Sequence, residues 1–111
     1  MIELLALALA AGSPDVVSLS CVVGENNAHM DFLLYEAEGR ATYDVRETGK
    51  SFQEEAIFTP TQVIIGSRYP ELRTVIDRTT LEYSQGQQYN GQFVGRRGTC
   101  EVTKPPENRK F

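Results

Sequence analysis

The feature that most constrains the fold of this chain is an alternation of apolar and polar residues with a period of two. It is clearest in residues 30–35 and 41–46, and turn sequences rich in Gly and Asn interrupt it at 24–27, 38–39 and 48–50. Successive side chains of a β-strand point to opposite faces of the sheet, so this period is typical of half-buried strands. The turns between the segments are short, which favours antiparallel neighbours.

The pattern predicts seven or eight short strands. They cover residues 18–23, 30–35, 41–46, 56–58, 63–65, 70–77, 81–83 and 92–102. Two segments also have helical features. Residues 51–54 have the spacing of a helix capping box, and residues 70–77 have apolar residues at helical spacing, but β-branched residues favour strand in the second case. We predict a polar loop over 85–90 and a bulge at Gly95 or Gly98.

The predicted fold is all-β, an antiparallel meander curled into a small barrel or sandwich. A chain of 111 residues fits one domain, which we place at residues 16–104. Strands without a covering helix bury their apolar faces by closing on themselves or on a second sheet. Residues 105–111 begin with two prolines and are predicted to be a surface tail.

Residues 1–15 have two interpretations. The apolar run at 4–11, followed by Gly12, Ser13 and Pro14, resembles the core and cleavage region of a secretory signal peptide, although no Lys or Arg precedes it. The alternative is a retained N-terminal helix, because Leu and Ala are strong helix formers. The run is too short for a transmembrane helix. A signal peptide predicts a secreted or periplasmic protein; otherwise the chain is cytoplasmic or part of a phage particle.

The two cysteines, Cys21 and Cys100, lie near the two ends of the predicted domain. In an exported protein such a pair is typical of a disulfide. The alternative is two unpaired core thiols in a cytosolic protein. Two thiols are too few for a structural zinc site, and no Cys-x-x-Cys redox motif is present.

The charge pattern argues against a general nucleic-acid-binding protein. The net charge is −4, made up of −7 over residues 1–60 and +3 over residues 61–111. A nucleic-acid interface needs a basic footprint that this balance does not provide. We therefore expect a protein partner, and we make no prediction of the oligomeric state.

The sequence contains no recognisable catalytic or cofactor motif. His29 is the one histidine, so any triad-type hydrolase would depend on it. It lies at a predicted strand start beside a polar turn, where a solvated side chain is expected. No phosphate-binding loop or metal-ligand spacing is present, and we predict no cofactor, no metal site and no enzyme activity.

Two groups of residues are candidates for structural or binding roles. Asp77 and Arg78 are predicted to form a turn scaffold, in which Asp77 accepts backbone hydrogen bonds and the Arg78 stem covers an apolar face. The partner-binding prediction falls on the late hairpin, where aromatic and guanidinium groups adjoin a Gln/Gly segment: Tyr83, Tyr89, Phe93, Arg96 and Arg97. The alternative is that Tyr83 and Phe93 face the core and the arginines keep an edge strand soluble.

Three short motifs carry a resemblance to known proteins. Residues 75–81, the sequence Gly98-Thr99-Cys100 and the final residues 107–111 resemble a group of small uncharacterised β-domain proteins of bacteria and their phages. That resemblance implies a β fold and a Cys21–Cys100 pairing, and it supplies no site.

A second resemblance involves residues 66–69, Gly-Ser-Arg-Tyr, which are similar to the inhibitory loop of the small β-barrel lysozyme inhibitors of the periplasm. Our leading functional hypothesis is a non-catalytic binding or inhibitor module. The rivals are a structural component of an envelope or phage particle, and a small hydrolase that uses His29.

Overall fold

The computed structural model describes residues 16–66 and 73–104, which form one closed antiparallel barrel. Each strand pairs with the next along the chain, and β8 pairs with β1. This confirms the predicted all-β meander and selects the barrel. The strands are β1 (Val16–Val23), β2 (Ala28–Tyr35), β3 (Arg40–Val45), β4 (Lys50–Phe58), β5 (Gln62–Ile65), β6 (Thr74–Asp77), β7 (Glu82–Tyr89) and β8 (Gln92–Thr103), with a 3-10 turn at Glu36–Glu38.

The barrel interior is filled by one side of each strand. Along β2, Met30, Phe32 and Leu34 are buried, as the period-two pattern predicts. The Phe32 ring lies between the rings of Tyr43 and Tyr83, with centroid distances of 5.1 and 6.2 Å. Aromatic pairs at these separations stabilise a core beyond the area that they bury. The other members of the buried apolar cluster come from five strands: Leu19, Cys21, Val23, Ala41, Ala56, Val63, Ile65 and Ile76.

A covalent bond links the first and last strands of the barrel. Cys21 and Cys100 are directly opposite in the β1–β8 ladder, with their Cα atoms 4.0 Å apart, and form the predicted disulfide. Cys21 is fully buried. The bond therefore joins the two strands whose pairing closes the barrel.

The two ends of the barrel differ in what they carry. One end holds the start of β1, the end of β8, the 3-10 turn and the β6–β7 turn; we call it the terminal end. The other holds the β1–β2 and β3–β4 turns and the base of the β7–β8 hairpin; we call it the hairpin end. Each end therefore presents a different surface.

The structure corrects two predictions in the late hairpin. Residues 85–89 belong to β7 rather than to a loop, and the turn is confined to Asn90 and Gly91. No bulge interrupts β8, because its register with β7 and with β1 is continuous through Gly95 and Gly98. At Gly98 the close neighbour is the partner strand: a Cβ there would lie 2.2 Å from the Val22 carbonyl oxygen.

Several predictions fall on residues outside the described part of the chain. They are the signal peptide or helix at 1–15, the surface tail at 105–111, residues 67–69 of the Gly-Ser-Arg-Tyr sequence, and the first part of the strand predicted at 70–77, of which the structure describes β6. Within the described residues, no helix has the length and apolar character needed to cross a membrane.

Candidate functional site: a projecting hairpin

The β7–β8 hairpin extends past its neighbours at the hairpin end. Strand β6 pairs with β7 only as far as Gln85, and β1 pairs with β8 only as far as Gly98. Beyond Gly86 and Gly95 the two strands pair with each other alone among the described residues, up to the Asn90-Gly91 turn. We call residues 86–95 the arm. A two-stranded ribbon is marginally stable by itself, so its position depends on the barrel that holds its base.

Two facing glycines form the base of the arm. Gly86 and Gly95 are register partners, with φ angles of +146° and +156° that side chains of L-residues rarely adopt. A Cβ at Gly86 would lie 2.1 Å from the Val94 carbonyl oxygen, and one at Gly95 would lie 2.0 Å from the Gln85 backbone carbonyl oxygen. The backbones therefore approach each other more closely than any residue but glycine allows.

Both faces of the arm carry apolar side chains that are not fully buried. Tyr89 and Val94 are 54% and 51% exposed, and their cross-strand partners are Gln92 and Gln87. Phe93 is the partner of Gln88, so alternation places it on the opposite face from Tyr89. An arm with apolar groups on both sides is suited to a cleft that encloses it.

The two arginines at the base of the arm have separate positions. The Arg97 guanidinium stacks on the Phe93 ring, with its carbon 4.4 Å from the ring centroid. Arg96, the adjacent residue, points to the other side of the strand and donates two hydrogen bonds to the Gln85 side-chain oxygen, at 3.1 and 2.6 Å. Arg97 therefore shares a face with Phe93, whereas Arg96 lies over the hairpin end of the barrel.

Tyr83 is a correction to the predicted binding group. Its side chain is 1% exposed and its hydroxyl contacts the Met30 sulfur at 3.7 Å. Burial raises the pKa of this phenol, which keeps it neutral. Tyr83 is a core residue because it lies on the inward side of β7, where the hairpin still belongs to the barrel wall. The alternative prediction is that Tyr83 and Phe93 both face the core. It holds for Tyr83 alone, because Phe93 is only half-buried.

The arm is free of carboxylates. From Tyr83 to Cys100 the only charged residues are Arg96 and Arg97, which carry +2 in a chain of net charge −4, so the remaining residues carry −6. The segment from Tyr83 to Cys100 is thus a cationic part of an acidic molecule. Such a distribution favours an acidic partner surface and raises the rate of encounter with it.

His29 is hydrogen-bonded to Glu47 of the β3–β4 turn. Its ring Nδ1 lies 2.6 Å from a Glu47 oxygen, and its backbone N–H donates to both oxygens of that carboxylate, at 3.0 and 3.1 Å. These hydrogen bonds, that of the ring first, lower the pKa of Glu47 to about 2. The pair joins the start of β2 to the β3–β4 turn. Elsewhere in the described ranges, no group of three or more His, Cys, Asp or Glu side chains is arranged to hold a metal ion.

Asp77 and Arg78 organise the β6–β7 turn. One Asp77 oxygen accepts hydrogen bonds from the backbone N–H groups of Thr79 and Thr80, at 2.8 and 2.9 Å. These donors, Thr80 foremost, lower the pKa of Asp77. Arg78 donates to the Thr59 carbonyl oxygen at 2.7 Å and to the Glu36 carboxylate at 3.1 Å. Asp77 thus makes the contacts expected of a turn aspartate, while Arg78 joins three loops of the terminal end.

Sequence reasoning missed Val94 as a member of the exposed surface. The exposure of Val94 can be recognised only once the strand register is known, because a valine in a predicted strand is normally assigned to the core. The described barrel places this chain in the class of small, disulfide-closed all-β domains with a projecting hairpin. No family model matches the chain, and neither a curated protein nor a solved structure matches it.

Proposed function

We propose that this domain is a non-catalytic binding module that inserts its arm into an acidic cleft of a partner protein, as inhibitors do. The observation that carries the proposal is the arm itself, a thin ribbon with Tyr89 and Val94 on one face, Phe93 on the other, and no carboxylate. At its base the Arg97 guanidinium stacks on the Phe93 ring. Aromatic and Arg side chains contribute disproportionately to binding energy when they are enclosed.

The way in which the base of the arm is attached to the barrel supports the same function. Beyond Gly86 and Gly95 its backbone has no described ladder partner outside the arm, and its base belongs to β8, which the Cys21–Cys100 disulfide joins to β1. A segment held at its base in this way loses less conformational freedom on binding than a free loop. The edges of the arm also offer backbone N–H and C=O groups to a partner strand.

The disulfide also supports a location for this activity. Disulfides persist in oxidising compartments, which fits a secreted or periplasmic module. The alternatives are a structural component of an envelope or phage particle, and the hydrolase that uses His29.

The test compares capture of a partner by the full chain and by arm variants. A protein retained from an extract of the source cells is identified, and its affinity is measured for the native chain, for Tyr89→Ser with Val94→Ser, and for Phe93→Ser with Arg97→Gln. We expect each pair of substitutions to weaken binding by at least about tenfold, which corresponds to roughly 1.4 kcal/mol. The measurement is by biolayer interferometry, with melting curves to show that the barrel is intact.

A matched control removes one exposed valine and one cation from the barrel wall, Val22→Ser with Lys50→Gln. It is expected to bind as the native chain does. Equal affinity of the arm variants and the control would contradict the proposal. Capture of further copies of this chain alone favours the structural component, and a loss confined to His29→Ala favours the hydrolase.

A further inference from the structure

The terminal end of the barrel, opposite the arm, contains an open apolar cavity of about 380 Å³. Its inner wall is formed by buried core residues of four strands, Leu19, Leu34, Val63 and Ile76. At its opening lie Val17 and Val102, register neighbours of Leu34 and Leu19 that are 42% and 64% exposed. A volume of this size lies in the range of small-molecule sites, and such sites are mostly apolar with a few polar groups.

The polar groups of this cavity are a paired cation and anion. Arg78 and Glu36 both line it, and the Arg78 Nη2 atom lies 3.1 Å from a Glu36 oxygen. The Arg78 side chain is 35% exposed and that of Glu36 is 54% exposed, so solvent reaches both members of the pair. Three of the five N–H donors of Arg78 are used in its contacts with Glu36 and the Thr59 carbonyl oxygen.

The pair selects against charged ligands. An anionic head group beside Arg78 would meet the Glu36 carboxylate, and a cationic one beside Glu36 would meet the guanidinium. A hydroxyl group has neither conflict, because it donates to a carboxylate oxygen and accepts from an Arg N–H without separating the pair. The chemistry of the opening therefore favours an uncharged polar group.

The backbone at the cavity is also unusual. Leu81, which lines the cavity, has a φ angle of +63°, a left-handed conformation that is costly for a residue with a branched side chain. Its backbone N–H donates to the Asp77 backbone carbonyl oxygen at 2.8 Å, and its carbonyl oxygen accepts from the Cys100 N–H at 2.9 Å. Conformations of this kind persist only where the surroundings determine them, and they concentrate at binding sites.

From these observations we infer that the terminal end is a second site, which binds an uncharged amphiphile. Its apolar chain occupies the space between Leu19 and Ile76, and its hydroxyl lies at the Arg78–Glu36 pair. The site is on the opposite end of the barrel from the arm, so it is independent of the proposed partner interface.

The test uses three ligands that share one chain length and differ in charge. The ¹⁵N-labelled full chain is titrated at neutral pH with octanol, octanoate and octylamine. Octanol is expected to produce saturable amide shifts at Val17, Ile76 and Val102, and the two charged ligands to bind at least about fivefold more weakly. No saturable shift with octanol, or equal affinity for all three ligands, would overturn the inference.

A substitution at the cavity opening, which Val17 and Val102 form the rim of, provides a second test. Val102→Asp places a carboxylate at the opening and is expected to reduce octanol affinity at least about tenfold, because an apolar chain then passes a charged group. Val22→Asp makes the same change on the outer face of β1 and is expected to leave the affinity unchanged. If the melting curve shows that Val102→Asp is unfolded, Val17→Asp replaces it. Native affinity in a folded rim variant would also overturn the inference.

Discussion

Replacing Cys21 and Cys100 together with alanine is expected to lower the free energy of unfolding by about 4.5 kcal/mol, the chain-entropy value for a loop of this length. The two residues are separated by 79 positions, so the bond restricts most of the unfolded chain. Because Cys21 is fully buried, the loss of its sulfur adds a packing cost to the substitution. Urea unfolding monitored by circular dichroism measures the change.

The control separates the cross-link from the packing of the sulfur atoms. Native protein is unfolded with and without reductant, which opens the bond and leaves both sulfur atoms in place. We expect reduction to account for most of the loss in the double variant. A reduced native protein as stable as the oxidised one would show that the bond between β1 and β8 does not stabilise the barrel.

The second large effect is expected at the base of the arm. Gly86→Ala or Gly95→Ala places a methyl group about 2 Å from a carbonyl oxygen of the opposite strand, so the two strands must separate there. We expect each to cost about 3 kcal/mol or more, beyond the ordinary cost of a side chain at positive φ. Hydrogen exchange of amides 87–94 is expected to accelerate in these variants, while exchange in β1 and β2 changes less.

Gly91→Ala is the matched control for this prediction. Gly91 has a φ of +79° but no atom within 4 Å of an added Cβ, so only the backbone strain of about 1 kcal/mol applies. If Gly86→Ala and Gly95→Ala were no more destabilising than Gly91→Ala, the close approach of the two strands would be refuted.

Much of the barrel follows from residue patterns that are visible in the sequence. Residues 28–35 alternate because Met30, Phe32 and Leu34 face the core, and this burial is what a period of two records. The cysteine pair was predictable because each residue lies near one end of the domain. Asn90-Gly91 marked the hairpin turn, where both residues have the positive φ that this dipeptide adopts readily.

The arm was only partly predictable because its strands lack that pattern. Residues 85–89 are mostly Gln and Gly, and they are held by backbone pairing with β8 rather than by burial, so no alternation marks them. The inward position of Tyr83 depends on which side of β7 faces the barrel, and that side is set by the closure of the whole sheet. The cavity depends in the same way on where the strands end relative to one another.

The most direct measurement of the central claim, that the arm enters a partner's cleft, is site-specific photocrosslinking in an extract of the source cells. Benzoylphenylalanine is placed in the full chain at Tyr89, at Phe93 and, as a control, at Phe52, an aromatic residue of the barrel wall that is 40% exposed. We expect Tyr89 and Phe93, on opposite faces of the arm, to attach to the same partner protein, with crosslinked peptides from two walls of one acidic cleft, and Phe52 to give no adduct with it. Attachment of that partner through Phe52, with none through Tyr89 or Phe93, would contradict the account.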